Sequence, residues 1–97
     1  MSDEIHLIEQ AFVESISDHY RCASEELLHA YQRNKEAARH HEAGALKAAV
    51  HHAKLCKHHT FNAHEHLKEV LHAAEKIQAM APRTPLHGQG LQGSALQ

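Results

Sequence analysis

Residues 36–53 read EAARHHEAGALKAAVHHA, with one glycine, Gly44, inside a run of helix-forming residues. Residues 1 to 43 contain neither Gly nor Pro, whereas both prolines and the other three glycines follow from Pro82 onward. These breaks predict helices over about 3–42 and 45–80 that turn near Gly44. Two arms of nearly equal length favour an all-α antiparallel hairpin. The Gly- and Pro-rich tail, 82–97, is predicted to be disordered.

Apolar periodicity predicts which side of each helix faces the other. The seam predicted for the second helix, at 3,4 spacing, consists of Leu46, Ala49, Ala53, Cys56, Thr60, Ala63, Leu67, Val70, Ala74 and Ile77. The stripe predicted for the first helix consists of Ile5, Ile8, Phe12, Ile16, Tyr20, Ala23, Leu27, Ala30 or Tyr31, Asn34, Ala37 and His41. The small residues at the middle of the second seam predict a close approach of the helices.

Two features leave the number of helices and the oligomeric state undecided. Ser and Asp in the segment 15–19 favour capping of a new helix there, which would give three helices instead of two. An Ala-rich seam also buries little surface, and Leu28, Val50, Leu55 and Phe61 fall outside it. We therefore expect a homo-oligomer, specifically a dimer that completes a four-helix bundle, with another protein as a further partner.

Composition excludes several classes of function. With 97 residues and a formal charge of −2, the chain has no basic field for nucleic acid and no stretch that would span a membrane. Its start carries Asp3, Glu4 and Glu9 instead of the basic region of a secretory signal. Cys22 and Cys56 are therefore predicted to be reduced thiols in a cytoplasmic protein. Protonation of all 13 histidines would change the formal charge from −2 to +11, which is a strong response to pH.

The histidines of the second helix form two rows with a period of seven. His51, His58, Glu65 and His72 are predicted to face solvent, whereas His52, His59 and His66 lie beside the seam with Cys56. If the chain turns at Gly44, residue numbers that meet across the hairpin sum to about 87, so His19 approaches His66 and Glu26 approaches His59. The predicted metal ligands are His19, Glu26, His52, Cys56, His59 and His66, and the donor types suit Zn, Ni, Co or Cu. The alternative is that Cys56 only fills the seam and the histidines are flanking polar groups.

No phosphate-binding loop, nucleophile elbow or HExxH motif is present, so we expect a protein that is not an enzyme. Two Glu-x-x-His spacings, at Glu26 and Glu69, match those of di-iron carboxylate bundles, but His29 and the second pair point away from the predicted seams. The leading prediction is thus a helical protein that binds a transition metal or responds to pH. The main alternative is a structural or protein-interaction module without a metal. A di-iron carboxylate enzyme is a remote alternative.

Residues 35 to 75 resemble small Ala/His-rich bacterial proteins with repeated A-x-x-H-H and E-A-G elements. The resemblance is carried by the run from Glu36 to Gly44 and by the later Ala and His positions, including His51, His52 and His59. It implies a helical hairpin that turns at Glu-Ala-Gly, and no catalytic activity. This chain differs from the pattern at Cys56, at Phe61 and in its tail.

Overall fold

The computed structural model describes residues 2–80, with side chains from residue 3 onward, as two helices. Helix α1 spans Ser2–Glu42 and helix α2 spans Leu46–Met80, and they pack antiparallel as an extended hairpin. The bounds expected from the sequence were 3–42 and 45–80. The tail for which disorder is predicted, 82–97, lies outside the described residues. Neither helix is long and apolar enough to cross a membrane.

The turn is a glycine-terminated helix end. Gly44 has a φ of 81°, in the left-handed region that costs glycine least. The N–H of Ala45 donates to the carbonyl oxygen of His40 at 2.8 Å, and the N–H of Gly44 donates to that of His41 at 3.0 Å. This pair of hydrogen bonds is the Schellman motif, which satisfies carbonyl groups left free at the end of a helix. The chain re-enters a helix at once, because Ala49 donates to the carbonyl of Ala45 at 3.0 Å.

Helix α1 is continuous through the segment 15–19, so the three-helix alternative is wrong. Ile16 is half-buried on the side facing α2, and a helix end at Ser15 would move it away from that contact. The charges at the two ends of α1 also favour one helix. Asp3 and Glu4 occupy the first turn, while Arg39, His40 and His41 occupy the last, as the helix dipole prefers.

The core between the helices consists of small side chains. The buried residues are Ala23, Ala30, Ala49, Ala63, Val70 and Ala73. Ala23 and Ala63 are only 2% and 1% exposed and mark the middle of the hairpin. No large side chain in the described part of the chain is fully buried. The interior therefore contributes little hydrophobic stabilisation, because that scales with the apolar area removed from water.

One half of the predicted seam is wrong. Ala49, Cys56, Ala63, Val70 and Ile77 do face α1, but the second row of α2 that faces it consists of His52, His59, His66, Ala73 and Met80. The predicted positions Leu46, Ala53, Thr60 and Leu67 are exposed, and Ala74 is half-buried. On α1, Tyr20, Leu27, Asn34 and His41 are likewise exposed, whereas His19, Glu26, Arg33 and His40 turn inward. Each helix is rotated by about 50° from the prediction.

This rotation gives the hairpin two unlike faces. The histidine face comprises His19, Glu26, Glu36, His40, His52, His59 and His66. The apolar face, on the other side of the seam, comprises Val13, Tyr20, Leu27, Tyr31, Leu46, Val50, Leu67 and Leu71, all of them exposed. Close to the turn, the apolar face contains an open groove between the helices, lined in part by Ala49, Val50 and Ala53. So many exposed hydrophobic side chains on one extended hairpin are consistent with oligomerisation.

Candidate metal centre

Polar side chains meet in pairs across the histidine face. The Nδ1 atoms of His19 and His66 lie 2.9 Å apart, and Nδ1 of His59 lies 2.7 Å from Oε1 of Glu26. These two contacts confirm the cross-hairpin pairing predicted from a turn at Gly44. One heptad nearer the turn, Nη1 of Arg33 lies 3.5 Å from Nδ1 of His52. The sequence positions of these pairs are antiparallel neighbours, so one regular register brings them together.

The Glu26 pair is a charge-assisted contact within the protein. His59 donates to Oε1 of Glu26, and Nδ2 of Asn62 donates to the same oxygen at 3.3 Å. The hydrogen bond from His59 is the main reason why the pKa of Glu26 lies below its ordinary value; partial burial opposes it, and Asn62 and the nearby imidazoles add to it. This carboxylate is therefore already occupied by protein donors.

A group of three candidate ligands lies at the turn end of the same face. Glu36 and His40 stand four residues apart on α1, which places them on neighbouring turns of one side, and His52 comes from α2. One ligand atom from each lies within 4.8 Å of the others. Nε2 of His40 is 3.8 Å from Oε1 of Glu36. The rings of His40 and His52 are stacked, with centroids 5.1 Å apart and planes 3° from parallel.

The surroundings favour the protonation states that metal binding needs. Arg39 donates to Oε1 of Glu36, and this hydrogen bond is the main cause of a lowered pKa for the carboxyl group. The pKa of His52 is lowered first by partial burial and then by the nearby positive charges of His40, Arg33 and His51, with Glu36 opposing. An ionised carboxylate and a neutral imidazole are the forms that bind a metal ion.

The three residues fit an ion such as Zn²⁺ after a small adjustment. Zn–N and Zn–O bonds of about 2.0–2.2 Å in tetrahedral geometry place ligand atoms roughly 3.4 Å apart, and the three ligand atoms already lie within 4.8 Å of one another. All three side chains are half-buried, so each remains in contact with water on one side. Three protein ligands leave a fourth position for water or another ligand.

The structure brings together only some of the ligands predicted from the sequence. Of the predicted ligands, His52 alone belongs to the group of three. His19 pairs with His66 and Glu26 with His59, while Cys56 is half-buried in the seam and, like Cys22, is a free thiol. Whether any of these residues binds a metal stays a prediction. Glu36 and His40 were missed, although 36 and 52 sum to 88, close to the predicted register, and a His four residues after Glu36 was a usable signal.

Neither a protein-family model, nor a curated protein, nor a solved structure matches this chain. The helical hairpin that the Ala/His-rich resemblance implied is present, but no family is identified for this chain. On α2, Glu69 and His72, the second Glu-x-x-His pair of the di-iron pattern, are both exposed. They do not face α1, as ligands of an interior di-iron centre would need to do.

Proposed function

We propose that this chain is a self-associating helical hairpin that binds a divalent transition metal ion through Glu36, His40 and His52, without catalysing a reaction. The observation that carries the proposal is the convergence of three ligand atoms within 4.8 Å from two different helices. Two imidazoles and one carboxylate suit Zn²⁺, Ni²⁺, Co²⁺ or Cu²⁺ better than Mg²⁺ or Ca²⁺.

The remaining predicted ligands rank below this site for a physical reason. A metal bound by His59 or Glu26 must first break their 2.7 Å hydrogen bond, and one bound by His19 and His66 must separate a pair at 2.9 Å. At Glu36 the competing donor is the exposed Arg39, whose flexible side chain can turn away into water, and at His52 the competing contact with Arg33 is long, 3.5 Å. We therefore infer that the first equivalent of metal occupies the site near the turn.

A thermal melt of tag-free protein at pH 7.5 tests the proposal, first with chelator and then with one equivalent of each metal ion. We expect at least one ion to raise the melting temperature by several degrees, because it binds the folded chain preferentially. His52→Ala should abolish this shift, whereas the matched control His72→Ala, at an exposed position of the same helix outside the site, should retain it. Loss of the shift only in a Cys56→Ala, His59→Ala double variant would place the ion on the ligands predicted from sequence instead. No shift with any ion would refute metal binding.

Arg39 offers a second test in the opposite direction. Because Arg39 competes with the metal for Glu36 and adds positive charge beside the site, Arg39→Gln should tighten metal binding by roughly threefold to tenfold at low salt. Titration calorimetry with Zn²⁺ measures this change. Arg21→Gln, at a distant exposed ion pair on the same helix, is the control and should leave the affinity unchanged. Weaker binding in Arg39→Gln would contradict the proposed role of Glu36.

The second candidate function is a protein-interaction module in which the histidines bind nothing. The exposed side chains of the apolar face, including Tyr31 at 60% and Leu71 at 65%, favour it. Self-association predicts a melting temperature that rises with protein concentration, whereas a hairpin that binds only a foreign partner would melt at a constant temperature when alone. A cytoplasmic location belongs to the same proposal and rests on the two free thiols.

A further inference from the structure

The apolar face has almost no charge along its length. The residues of the apolar face lie in two rows of positions on each helix, together with small and polar residues. The rows on α1 are Val13, Tyr20, Leu27, Asn34 and His41, and Ser17, Ser24, Tyr31 and Ala38. The corresponding rows on α2 are Leu46, Ala53, Thr60, Leu67 and Ala74, and Val50, Lys57, His64, Leu71 and Gln78. Between residues 13 and 78, Lys57 is the one Lys, Arg, Asp or Glu in these rows. The depletion of charge is the property that distinguishes the centre of an interface.

We propose that this face binds a second copy of the chain in antiparallel orientation, so that the turn of each hairpin lies beside the open end of the other. The inference rests on the proposed self-association and adds the face and the orientation. The two copies would then form a four-helix bundle in which both histidine faces remain in contact with water.

The face is large enough for a stable dimer. Helix α2, the shorter helix, has 35 residues and extends about 52 Å at 1.5 Å per residue. Two helices side by side, with axes 8–10 Å apart, present a face roughly 20 Å wide. The resulting area, about 1,000 Å² on each copy, exceeds the roughly 800 Å² per partner of a standard interface. The buried seam of the monomer, built mainly from alanine, provides no comparable apolar surface.

Two-fold symmetry allows two ways to place one apolar face on another. With the axis along the hairpin, the copies are parallel and α1 lies over α2 of the second copy. With the axis across the hairpin, the copies are antiparallel, and each helix lies over its own equivalent. Superposing the Ala23–Ala63 layers in the antiparallel case places Tyr20 opposite Leu27 of the second copy. It also places Thr60 opposite Leu67, so both helices match in one register.

The charges along the edge of the face discriminate between these orientations. The edge positions are Glu14, Arg21, Leu28 and Lys35 on α1, and Lys54, Phe61, Lys68 and Glu75 on α2, all exposed. In the antiparallel dimer, Glu14 meets Lys35 of the second copy. On α2, Lys54 likewise meets Glu75. The other two contacts are Arg21 with Leu28 and Phe61 with Lys68, neither of which places like charges together.

The parallel dimer brings like charges together at three of these positions. Glu14 would meet Glu75 of the second copy, and Arg21 would meet Lys68. Lys35 would meet Lys54. The same edge rows continue to Glu42 and Lys47 next to the turn, and these two residues would form one pair of opposite sign. Like charges placed opposite each other select against an orientation even where each pair contributes little affinity.

The net charge of each half of the hairpin favours the same orientation. The half near the turn, residues 24–62, has six Lys and Arg against four Asp and Glu, a net charge of +2. The half near the open end, 3–23 and 63–80, has three against eight, a net charge of −5. An antiparallel dimer places the positive half of each copy on the negative half of the other, whereas a parallel dimer places −5 on −5.

Charge reversal at Glu14 tests the orientation by the sign of the effect. We expect Glu14→Lys to weaken the dimer about tenfold at low salt, because two opposite-charge contacts become two like-charge ones. The double variant Glu14→Lys with Lys35→Glu should restore the affinity. The control Glu69→Lys makes the same change of net charge on the opposite side of the hairpin and should change the affinity no more than about twofold. Sedimentation equilibrium at about 20 mM and 500 mM salt measures all four proteins, and the differences should shrink at high salt.

Each other outcome overturns a specific part of the inference. Tighter association of Glu14→Lys means that Glu14 faces Glu75, so the dimer is parallel. Equal weakening by Glu14→Lys and Glu69→Lys, or no rescue by the second substitution, means that the apolar face is not the interface. If the unmodified protein is monomeric at every concentration and its melting temperature is constant, the proposed self-association itself is wrong.

Discussion

Replacing Gly44 with alanine tests the turn on which the hairpin depends. At the observed φ of 81°, an L-amino acid suffers a clash between its Cβ and its own backbone that costs about 1–2 kcal/mol. A Cβ at this position meets no other atom within 4 Å, so packing adds nothing to the cost. We expect Gly44→Ala to lower the free energy of unfolding by about 1 kcal/mol or slightly more. For a domain of this size, that corresponds to a fall in melting temperature of roughly 4–8 °C.

Urea denaturation followed by circular dichroism, at one fixed protein concentration, measures the loss. Gly44→Asn should lose less than Gly44→Ala, because asparagine adopts the left-handed conformation more readily than other residues with a side chain. A chemically ligated chain with D-alanine at position 44 should be at least as stable as the natural one, since the strain belongs to the L configuration. An unchanged midpoint for Gly44→Ala would refute the left-handed turn, and a loss with D-alanine would show that a steric contact limits the site.

Two further substitutions test the seam. Ala63→Leu inserts three carbon atoms at a position only 1% exposed and should lower the free energy of unfolding in urea by about 1–3 kcal/mol. The control Ala11→Leu, on the exposed side of α1, should change stability by less than about 0.5 kcal/mol. Equal effects of the two substitutions would contradict the close packing of the seam. Glu26→Gln should cost about 1 kcal/mol at pH 7 by removing the charge-assisted hydrogen bond from His59. Because the pKa of Glu26 is lowered in the folded chain, this contribution is present above the ordinary carboxyl pKa and is lost as the pH falls through the lowered value. Urea midpoints of the two proteins should therefore converge as the pH falls below the lowered pKa of Glu26, and a difference that stays constant with pH would argue against the hydrogen bond to the ionised carboxylate.

The turn and the two helices were predictable because their signals are local. Gly44 is the sole glycine before the tail, and helix-forming residues surround it on both sides. Its conformational requirement does not depend on what the helices contact. The two cross-hairpin pairs were predictable for a related reason, since a fixed turn point determines the antiparallel register, and the register determines which positions meet.

The seam was only half predictable because apolar periodicity does not say which surface an apolar stripe serves. Leu46 and Leu67 fit the best 3,4 pattern on α2, yet they belong to the apolar face. The positions that complete the seam hold His52, His59 and His66, which a search for hydrophobic residues passes over. These histidines are stabilised there by polar partners on α1, so the two helices had to be considered together. The same reason explains why Glu36 and His40 were missed.

The scarcity of bulk inside the seam has a consequence for the life of the protein in a cell. Within the described residues, only alanines and one valine are buried between the helices, so little apolar contact opposes local opening, and each opening would expose long stretches of backbone to proteases. Covering the apolar face with a second copy would lower the frequency of opening without any change in the hairpin itself. Newly made chains below the dimer dissociation constant would then be degraded fastest, and the protein would persist only where its synthesis exceeds that threshold.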